Sequence, residues 1–282
     1  MSDCMGSVFI RDIEYKVRRG ELFISYSPLS SIADIKGLTN LRELQLLSIT
    51  SNNISNIECV DSLTMLKELI FDENRIKDIG GLENLINLER LVITRNRIQE
   101  IKGVSTLKNL RSLSLHDNQI KEIKGLENLS NLRSLSLEEN QISEIKGLEN
   151  LSNLELLILH NNQIQEIKGL ESLTNLYTLY LNENKIQEIS GLENLKNLKI
   201  LNLNGNKIKE IKGLERLTKL RELDLGNNQI KKIKGLKNLR SLEKLNIENN
   251  PIPHSLLEDL GGLDVGGGAY QPQRFIKFCH RS

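Results

Sequence analysis

The sequence contains no tryptophan, and aromatic residues make up only 4% of its 282 residues. Apolar residues still account for 38% of the chain, so leucine and isoleucine must supply most of any buried core. The three cysteines, Cys4, Cys59 and Cys279, are scattered and form no Cys-x-x-Cys motif. Such spacing argues against a disulfide framework and fits a reducing cytosol.

Long apolar runs and an excess of charge of either sign are also missing. No stretch approaches the roughly 18 apolar residues that a membrane-spanning helix requires, and the first residues lack the apolar core of a signal peptide. The formal net charge is +1 at pH 7, so no field of the whole protein is expected to attract nucleic acid or an anionic membrane. We therefore expect a cytoplasmic protein that binds no membrane and for which nucleic acid is not the favoured partner.

The feature that dominates the sequence is a repeat of 22 residues. One unit, residues 132–145, reads LRSLSLEENQISEI, and its frame LxxLxLxxNxIxxI recurs around ten asparagines without an insertion. Repeats of this length predict a solenoid, in which each unit buries its apolar face against its neighbours. The asparagines are Asn52, Asn74, Asn96, Asn118, Asn140, Asn162, Asn184, Asn206, Asn228 and Asn250.

The spacing within one unit predicts its local structure. The alternating LxL segment indicates a short strand with leucines inward and the intervening residues outward, and stacked copies would form a parallel sheet. The asparagine that follows can both donate to and accept from backbone groups, so we expect it to form an internal ladder. Leucine and isoleucine at about every third position afterwards predict a tight helical turn on the opposite face.

Residues 1–36 depart from the frame and are predicted to form an N-terminal cap before ten repeats in 37–252. The segment SVFIRDIEYKVRRGELFISYS contains two β-rich runs around RRGE, which predict a hairpin that shields the edge of the first strand. A degenerate repeat follows, with Ser30 where the asparagine would stand.

Residues 253–282 are predicted to form a C-terminal cap. Two prolines end the repeat pattern, and PHSLLEDLGG predicts a short helix that ends at Gly261. A glycine-rich loop precedes PQRFIKFCHR, which predicts a last helix whose Phe275 and Phe278 cover the final repeat.

Outward-facing strand residues that lie 22 positions apart fall on neighbouring strands and form columns across the sheet. Four apolar residues in these columns predict an exposed patch that binds a partner protein. A smaller apolar pair lies among charged residues earlier in the chain. The predicted patch is Leu156, Ile158, Tyr180 and Ile200, with Asn182, Asn202 and His160 at its rim, and the smaller pair is Ile70 and Val92.

One column places His116, Glu138 and His160 on three consecutive strands. We expect these three side chains, with Asn182, to give polar specificity to the docking surface, where histidine would make binding sensitive to pH. Two histidines and a carboxylate are also a known zinc or iron ligand set. A metal-linked adaptor therefore stays open as an alternative, although a flat sheet directs side chains in parallel, and we predict no metal and no cofactor.

Other charged and glycine-rich segments give weaker signals. Rows of glutamate and lysine in the recurring EIKG segment are expected to neutralise each other on a solvated face. The basic tail with Arg274, Lys277 and Arg281 could touch RNA, which leaves an RNA-linked adaptor as a further alternative. The loop GGLDVGGG lacks the phosphate-binding lysine motif, and no Gly-x-Ser-x-Gly motif occurs, so we predict no catalytic residues and no enzyme.

The units, typified by LSNLRSLSLEENQISEIKGLENLSNL, resemble leucine-rich repeats of the 22-residue type. They are similar to the subfamily of the nuclear regulator of protein phosphatase 1, and bacterial internalins share the period. The resemblance covers about 37–252. It implies an α/β leucine-rich-repeat solenoid, a curved right-handed horseshoe with a parallel concave sheet, helical turns on the convex side and terminal caps. It also implies a non-enzymatic scaffold that binds another protein on its concave face, as a phosphatase-regulator-like adaptor would. We expect the protein to be a monomer.

Overall fold

The computed structural model describes residues 4–280, with side chains from residue 6 onward. The chain divides into two compact units, Met1–Asn140 and Gln141–Ser282. The first unit contains β1 (Cys4–Ile10), β2 (Ile13–Arg18), β3 (Glu21–Ser25), β4 (Ile35–Lys36), β5 (Leu46–Thr50), β6 (Glu68–Ile70), β7 (Arg90–Val92), β8 (Ser112–Ser114) and β9 (Ser134–Ser136). The second contains β10 (Leu156–Ile158), β11 (Thr178–Tyr180), β12 (Ile200–Asn202), β13 (Glu222–Asp224), β14 (Lys244–Asn246), α1 (His254–Asp259) and α2 (Pro272–Cys279).

Each unit is a stack of repeat turns with one short parallel strand per turn. In the first unit Leu47, Leu69, Leu91, Leu113 and Leu135 pair in register at the centres of β5 to β9. In the second unit the central leucines of β10 to β14 pair in the same way. All of these leucines are at most 2% exposed. The predicted fold class, a parallel-strand solenoid built from 22-residue turns, is therefore confirmed.

The predicted helical turn of each repeat is only partly present. In one repeat the Leu129 N–H donates to the Leu126 carbonyl at 3.0 Å and the Leu132 N–H donates to Leu129 at 2.9 Å. These are two successive tight turns rather than a continuous helix. Within residues 4–280, the 3-10 helices span Ile32–Asp34 and Leu38–Asn40. With a leucine at every third residue, each tight turn is closed by one backbone hydrogen bond. The chain then continues into the next strand.

The recurring asparagines lie inside the coil and bridge successive turns. The side-chain amide of Asn140 donates to the Leu115, Leu137 and Glu138 carbonyls at 3.0–3.1 Å, and its Oδ1 accepts from the Ile120 N–H at 2.9 Å. The other internal members of the series repeat this pattern. Each side chain therefore satisfies buried backbone groups of two turns, because an amide offers both donors and an acceptor.

Replacing Asn140 with alanine is expected to lower the free energy of unfolding by about 1–3 kcal/mol, because the buried Ile120 N–H loses its acceptor. The Leu115 carbonyl loses one of its two donors and keeps the hydrogen bond from Asn118. Chemical denaturation of both proteins measures the change. The neighbouring exposed Gln141→Ala is the control and should leave stability unchanged. An Asn140→Ala protein as stable as Gln141→Ala would contradict the role given to the asparagine series.

The N-terminal end is capped by three strands rather than by one hairpin. β3 pairs with β5 in parallel over its whole length, from Glu21 with Leu46 to Ser25 with Thr50, so it covers the edge of the first repeat strand as predicted. β2 follows antiparallel to β3, with Arg18 opposite Glu21, and β1 lies antiparallel to β2. The first predicted run, SVFIRDIEYKV, is divided between β1 and β2, so the cap has one strand more than the predicted hairpin.

The C-terminal segment closes the last repeat turn. α1 ends at Asp259, and Gly261 follows with a φ of 105°, close to the predicted helix end. Farther along, the Ala269 N–H donates to the Leu245 carbonyl at 2.7 Å, so the chain pairs with the edge of β14. In α2 Phe275 is 0% exposed, whereas Phe278 is half-buried. The domain boundaries at residues 36 and 252 stay predictions.

Candidate functional site

The outward face of the second unit is built by the first and last residues of its three-residue strands. The central leucine of each strand points inward, so its two neighbours point to the other side of the sheet. Strand pairing places Ile158 beside Tyr180 and Tyr180 beside Asn202. It places Leu156 and Ile200 on either side of Thr178. Since neighbouring strands lie about 4.8 Å apart, the predicted apolar side chains form one cluster across β10, β11 and β12.

This cluster is less accessible than the sequence predicted. Leu156, Ile158, Tyr180 and Ile200 are all half-buried, and Thr178 between them is buried. Their alignment in adjacent columns explains this, because each side chain covers part of its neighbours. The predicted exposed patch is therefore corrected to a half-buried apolar surface, which we call the strand-face cluster.

Amide side chains border the strand-face cluster on the side of the later repeats. Asn204 donates from its side-chain nitrogen to Asp224 Oδ1 at 3.0 Å, and its backbone N–H donates to Asn202 Oδ1 at 3.0 Å. Asn182 is half-buried next to these residues. The half-buried His160 has an Nδ1 atom that is shielded from solvent and has no hydrogen-bond partner. The border is thus polar and largely uncharged, with donors and acceptors held in place.

The first unit carries the smaller apolar pair. Ile70 and Val92 lie directly opposite each other on β6 and β7, and both are half-buried. The Arg90 guanidinium contacts Glu68 at 3.0 Å on one side of the pair. On the other side Thr94 donates its hydroxyl proton to Asp72 at 2.5 Å. The charged groups on both sides of this pair therefore already have hydrogen-bond or ion-pair partners within the first unit.

The column proposed as a metal-ligand set does not form a recognisable metal centre. His116 and Glu138 lie in the first unit and His160 lies in the second, and all three are half-buried. The Glu138 carboxylate accepts a hydrogen bond from the Ser136 hydroxyl at 2.5 Å. Among the described residues, no group of three or more His, Cys, Asp or Glu side chains could hold a metal ion.

Sequence reasoning missed an exposed aromatic surface in the N-terminal cap. Phe23 on β3 is 58% exposed and pairs with Ser48, so it extends the column that continues to Ile70 and Val92. Tyr26, just beyond β3, is 81% exposed. The alternation in ELFIS, where Leu22 and Ile24 are buried, indicates that Phe23 points to the outward face. The prediction that this segment shields the sheet edge does not by itself identify Phe23 as exposed.

The face opposite the strands, which we call the loop side, carries the charged rows of the recurring EIKG segments. Several lysines there form ion pairs with carboxylates, as predicted for a solvated face. A hydrogen bond from Lys212 lowers the pKa of the Glu188 carboxyl, and the two charged groups lie 2.7 Å apart. A hydrogen bond to Asp78 raises the pKa of Lys102 in the same way. All of these side chains are exposed, so water and salt screen the pairs.

The remaining predicted features lie at the ends of the chain. Arg274 and Lys277 of the basic tail are exposed on α2, while Arg281 lies outside the described residues. Cys59 and Cys279 are free thiols, and burial raises the pKa of the Cys279 thiol. The side chain of Cys4 lies outside the described part of the chain. No helix between residues 4 and 280 has the length and apolar character to cross a bilayer.

Comparison with protein families gives a match to the family described as "Leucine Rich repeats (2 copies)". The matched residues are 64–106, 108–150, 152–194, 178–216, 196–238 and 218–264, which is well over half of the chain. A comparison with curated protein sequences gives no match.

Solved structures with the same fold include two internalins from Listeria monocytogenes. Internalin inlF is 25% identical with a TM-score of 0.62, and the alignment covers 84% of this chain and 85% of that chain. Internalin C2 is 29% identical with a TM-score of 0.60, covering 74% of this chain and 83% of that chain. The TLR13–ssRNA13 complex is 26% identical with a TM-score of 0.69, but this chain spans only 34% of that chain while 75% of its own length is covered.

Proposed function

We propose, from the premise that this chain belongs to the leucine-rich-repeat family, that it is a non-enzymatic scaffold whose strand face binds a partner protein. The strand-face cluster would supply the apolar anchors. Asn182 and His160 beside this cluster would add polar specificity. On the first unit, the proposed partner contacts are Ile70, Val92, His116 and Glu138, and they are described separately from the strand-face cluster.

The observation that carries this proposal is the register of β10, β11 and β12. Three consecutive strands bring four large apolar side chains together on an outward face. These are variable positions of the repeat frame, where the fold does not require an apolar residue. The inward positions of the same strands are filled by leucines that already complete the core. A set of half-buried apolar groups beside fixed amides has the composition of a protein-binding surface, in which a few anchors give most of the affinity.

A phosphatase-regulator-like role is a finer proposal and rests on the resemblance of the repeat units alone. RNA is the other candidate partner. It is favoured by one observation, the presence of the TLR13–ssRNA13 complex among the similar structures. The strand-face cluster contains Tyr180 as its single aromatic residue, which gives little surface for stacking bases. A protein therefore remains the preferred partner, and a cytoplasmic location and a monomeric state remain predictions.

Affinity capture from a lysate of the source organism tests the proposal. Ile158→Glu with Tyr180→Glu places two charges in the strand-face cluster and should weaken partner binding by at least about tenfold, since removal of an anchor commonly costs that much. The matched control is Ile86→Glu with Tyr177→Glu, which makes the same changes at exposed positions outside the outward face.

The expected result is a protein retained by wild type and by the control but lost with the Ile158→Glu, Tyr180→Glu variant. Circular dichroism and the melting temperature establish that both variants are folded. Equal recovery of the same proteins by all three would contradict the assignment of the strand face as the binding surface.

A further inference from the structure

Although the formal charge of the whole chain is close to zero, its last repeats contain a strongly basic segment. Between residues 207 and 240 the chain carries eleven lysine and arginine residues and four aspartate and glutamate residues, whereas the whole chain has a formal charge of +1. The segment lies wholly within the second unit. Attraction of anions depends on local charge density rather than on the total, so this region can bind a ligand that the rest of the surface would not.

The excess arises where the repeat pattern of charges is broken. The loop position of Glu210 holds glutamate in six successive repeats and lysine, Lys232, in the next. The charge at this position therefore changes from negative to positive. Lys231 precedes this lysine, and Lys209 occupies the position equivalent to Lys231 one repeat earlier. The row is Glu100, Glu122, Glu144, Glu166, Glu188, Glu210 and Lys232.

These lysines line one cavity on the loop side of the second unit. The cavity has a volume of about 290 Å³ and is lined by Lys209, Glu210, Gln229, Lys231, Lys232 and Lys234. The Lys234 ammonium lies 3.4 Å from the Glu210 carboxylate. Among the described residues, no carboxylate lies within ion-pair distance of Lys209, Lys231 or Lys232. Glu210 is the single carboxylate of the lining and pairs with Lys234, so the other three lysines give the cavity an excess of positive charge.

An equivalent cavity between earlier repeats shows that the charge, not the shape, is particular to this place. That cavity has a volume of about 380 Å³, and its charged lining residues are Glu166, Glu188 and Lys168. The groove is thus a general consequence of stacked turns. Two carboxylates and one lysine line it there, whereas four lysines and one carboxylate line it beside Lys232.

We propose that the cavity lined by Lys209, Lys231, Lys232 and Lys234 binds a small soluble polyphosphate anion. Lysine offers a compact charge with three donors and is a common phosphate ligand, so four lysines in one lining suit the many oxygens of a phosphate chain. No aromatic side chain lines the cavity, so nothing in it would stack a nucleic-acid base. Its volume suits a ligand of a few phosphate groups rather than a wide macromolecular interface.

Isothermal titration of the full chain with sodium tripolyphosphate at low ionic strength tests the proposal. We expect saturable binding to wild type that weakens at least about tenfold in Lys232→Glu, because one attractive charge of the lining becomes repulsive. The control is Lys121→Glu, the same change at the position equivalent to Lys209 in an earlier repeat, and it should bind like wild type. Since glutamate already occupies the row of Lys232 in six other repeats, the variant is expected to fold, and its melting temperature checks this.

The same titration is repeated with three other anions for comparison. These are sulfate at matched ionic strength, a single-stranded RNA oligomer and vesicles containing phosphatidylserine. Binding of tripolyphosphate that sulfate does not reproduce, and that depends on Lys232 but not on Lys121, supports the proposal. Absence of tripolyphosphate binding to wild type, or equal affinity in Lys232→Glu, overturns it. Lys232-dependent binding of RNA or vesicles that tripolyphosphate does not compete away also overturns it, in favour of a macromolecular anion.

Discussion

Replacing Phe275 with alanine is expected to lower the free energy of unfolding by about 3–5 kcal/mol, the usual cost of truncating a fully buried aromatic side chain. Phe275 lies in α2 and is 0% exposed. Leu242, Leu245 and Ile247 of the last repeat are at most 2% exposed, although no further repeat follows them. The C-terminal segment therefore supplies the apolar cover that a next repeat would give, as the end of a solenoid requires.

Contacts on either side of Phe275 hold α2 against that repeat. The Gln273 side-chain amide donates to the Leu242 carbonyl at 2.9 Å, and Ile276 and Cys279 are buried with Phe275. A cavity left at Phe275 cannot close easily, because the helix is fixed at these neighbouring points. The loss is therefore expected near the upper part of the range, with a greater tendency of the protein to associate through the uncovered repeat.

Denaturant titration and size-exclusion chromatography measure the two effects. Phe23→Ala makes the same substitution at a residue that is 58% exposed, and it should change stability by no more than about 0.5 kcal/mol. A Phe275→Ala protein as stable as Phe23→Ala would mean that the last repeat does not depend on α2 for its cover.

The repeating frame could be predicted because each of its positions has one physical task. An inward leucine, an asparagine that bridges turns and a leucine at each tight turn recur with the same spacing, so ten copies reinforce one interpretation. The outward positions have no such shared task. How deeply Ile158 or Tyr180 is buried depends on the side chains beside it in adjacent columns, which is why the strand-face cluster was predicted as exposed and is half-buried.

A second series of asparagines was not predicted, for a related reason. On the loop side, Asn109 donates its side-chain amide to the Ile86 carbonyl at 2.9 Å, and Asn131 donates to the Lys108 carbonyl at 2.9 Å. Asn175 and Asn197 repeat this contact in the second unit. These asparagines are mostly exposed in a sequence rich in polar residues, so their spacing alone does not separate them from solvated side chains.

Glycine in the recurring EIKG segment has a structural role that the spacing of the sequence alone does not reveal. The glycine of this column has a positive φ in every repeat where it occurs, between 68° and 81° from Gly81 to Gly235. A Cβ at Gly169 would lie 2.5 Å from the Ile145 carbonyl oxygen of the preceding turn, and a Cβ at Gly81 would lie 2.8 Å from that of Ile57. From Gly81 onward two constraints therefore disfavour a side chain, a left-handed backbone and a close carbonyl. Cys59 holds the equivalent position one repeat before Gly81, also with a positive φ of 58°.

Replacing Gly81 with alanine is accordingly expected to lower the free energy of unfolding by roughly 2–5 kcal/mol, from the left-handed conformation and the displaced backbone together. The adjacent Gly80→Ala is the matched control, because a Cβ at Gly80 would meet nothing within 4 Å, and its equivalents in later repeats are Ser190 and otherwise lysines such as Lys102. Gly80→Ala should be neutral or stabilising by up to about 1 kcal/mol, since it restricts the unfolded chain.

The pair separates the two explanations for a glycine in this segment. If glycine only gave the loop freedom to turn, the two substitutions would have similar effects, because Gly80 and Gly81 lie in the same bend. If instead the left-handed backbone and the close carbonyl at Gly81 require it, only Gly81→Ala should be destabilised in thermal and chemical denaturation. Equal stability of the two variants would show that the turns can separate to admit a methyl group, and that the spacing of the repeats is set by the leucine core and the asparagine series alone.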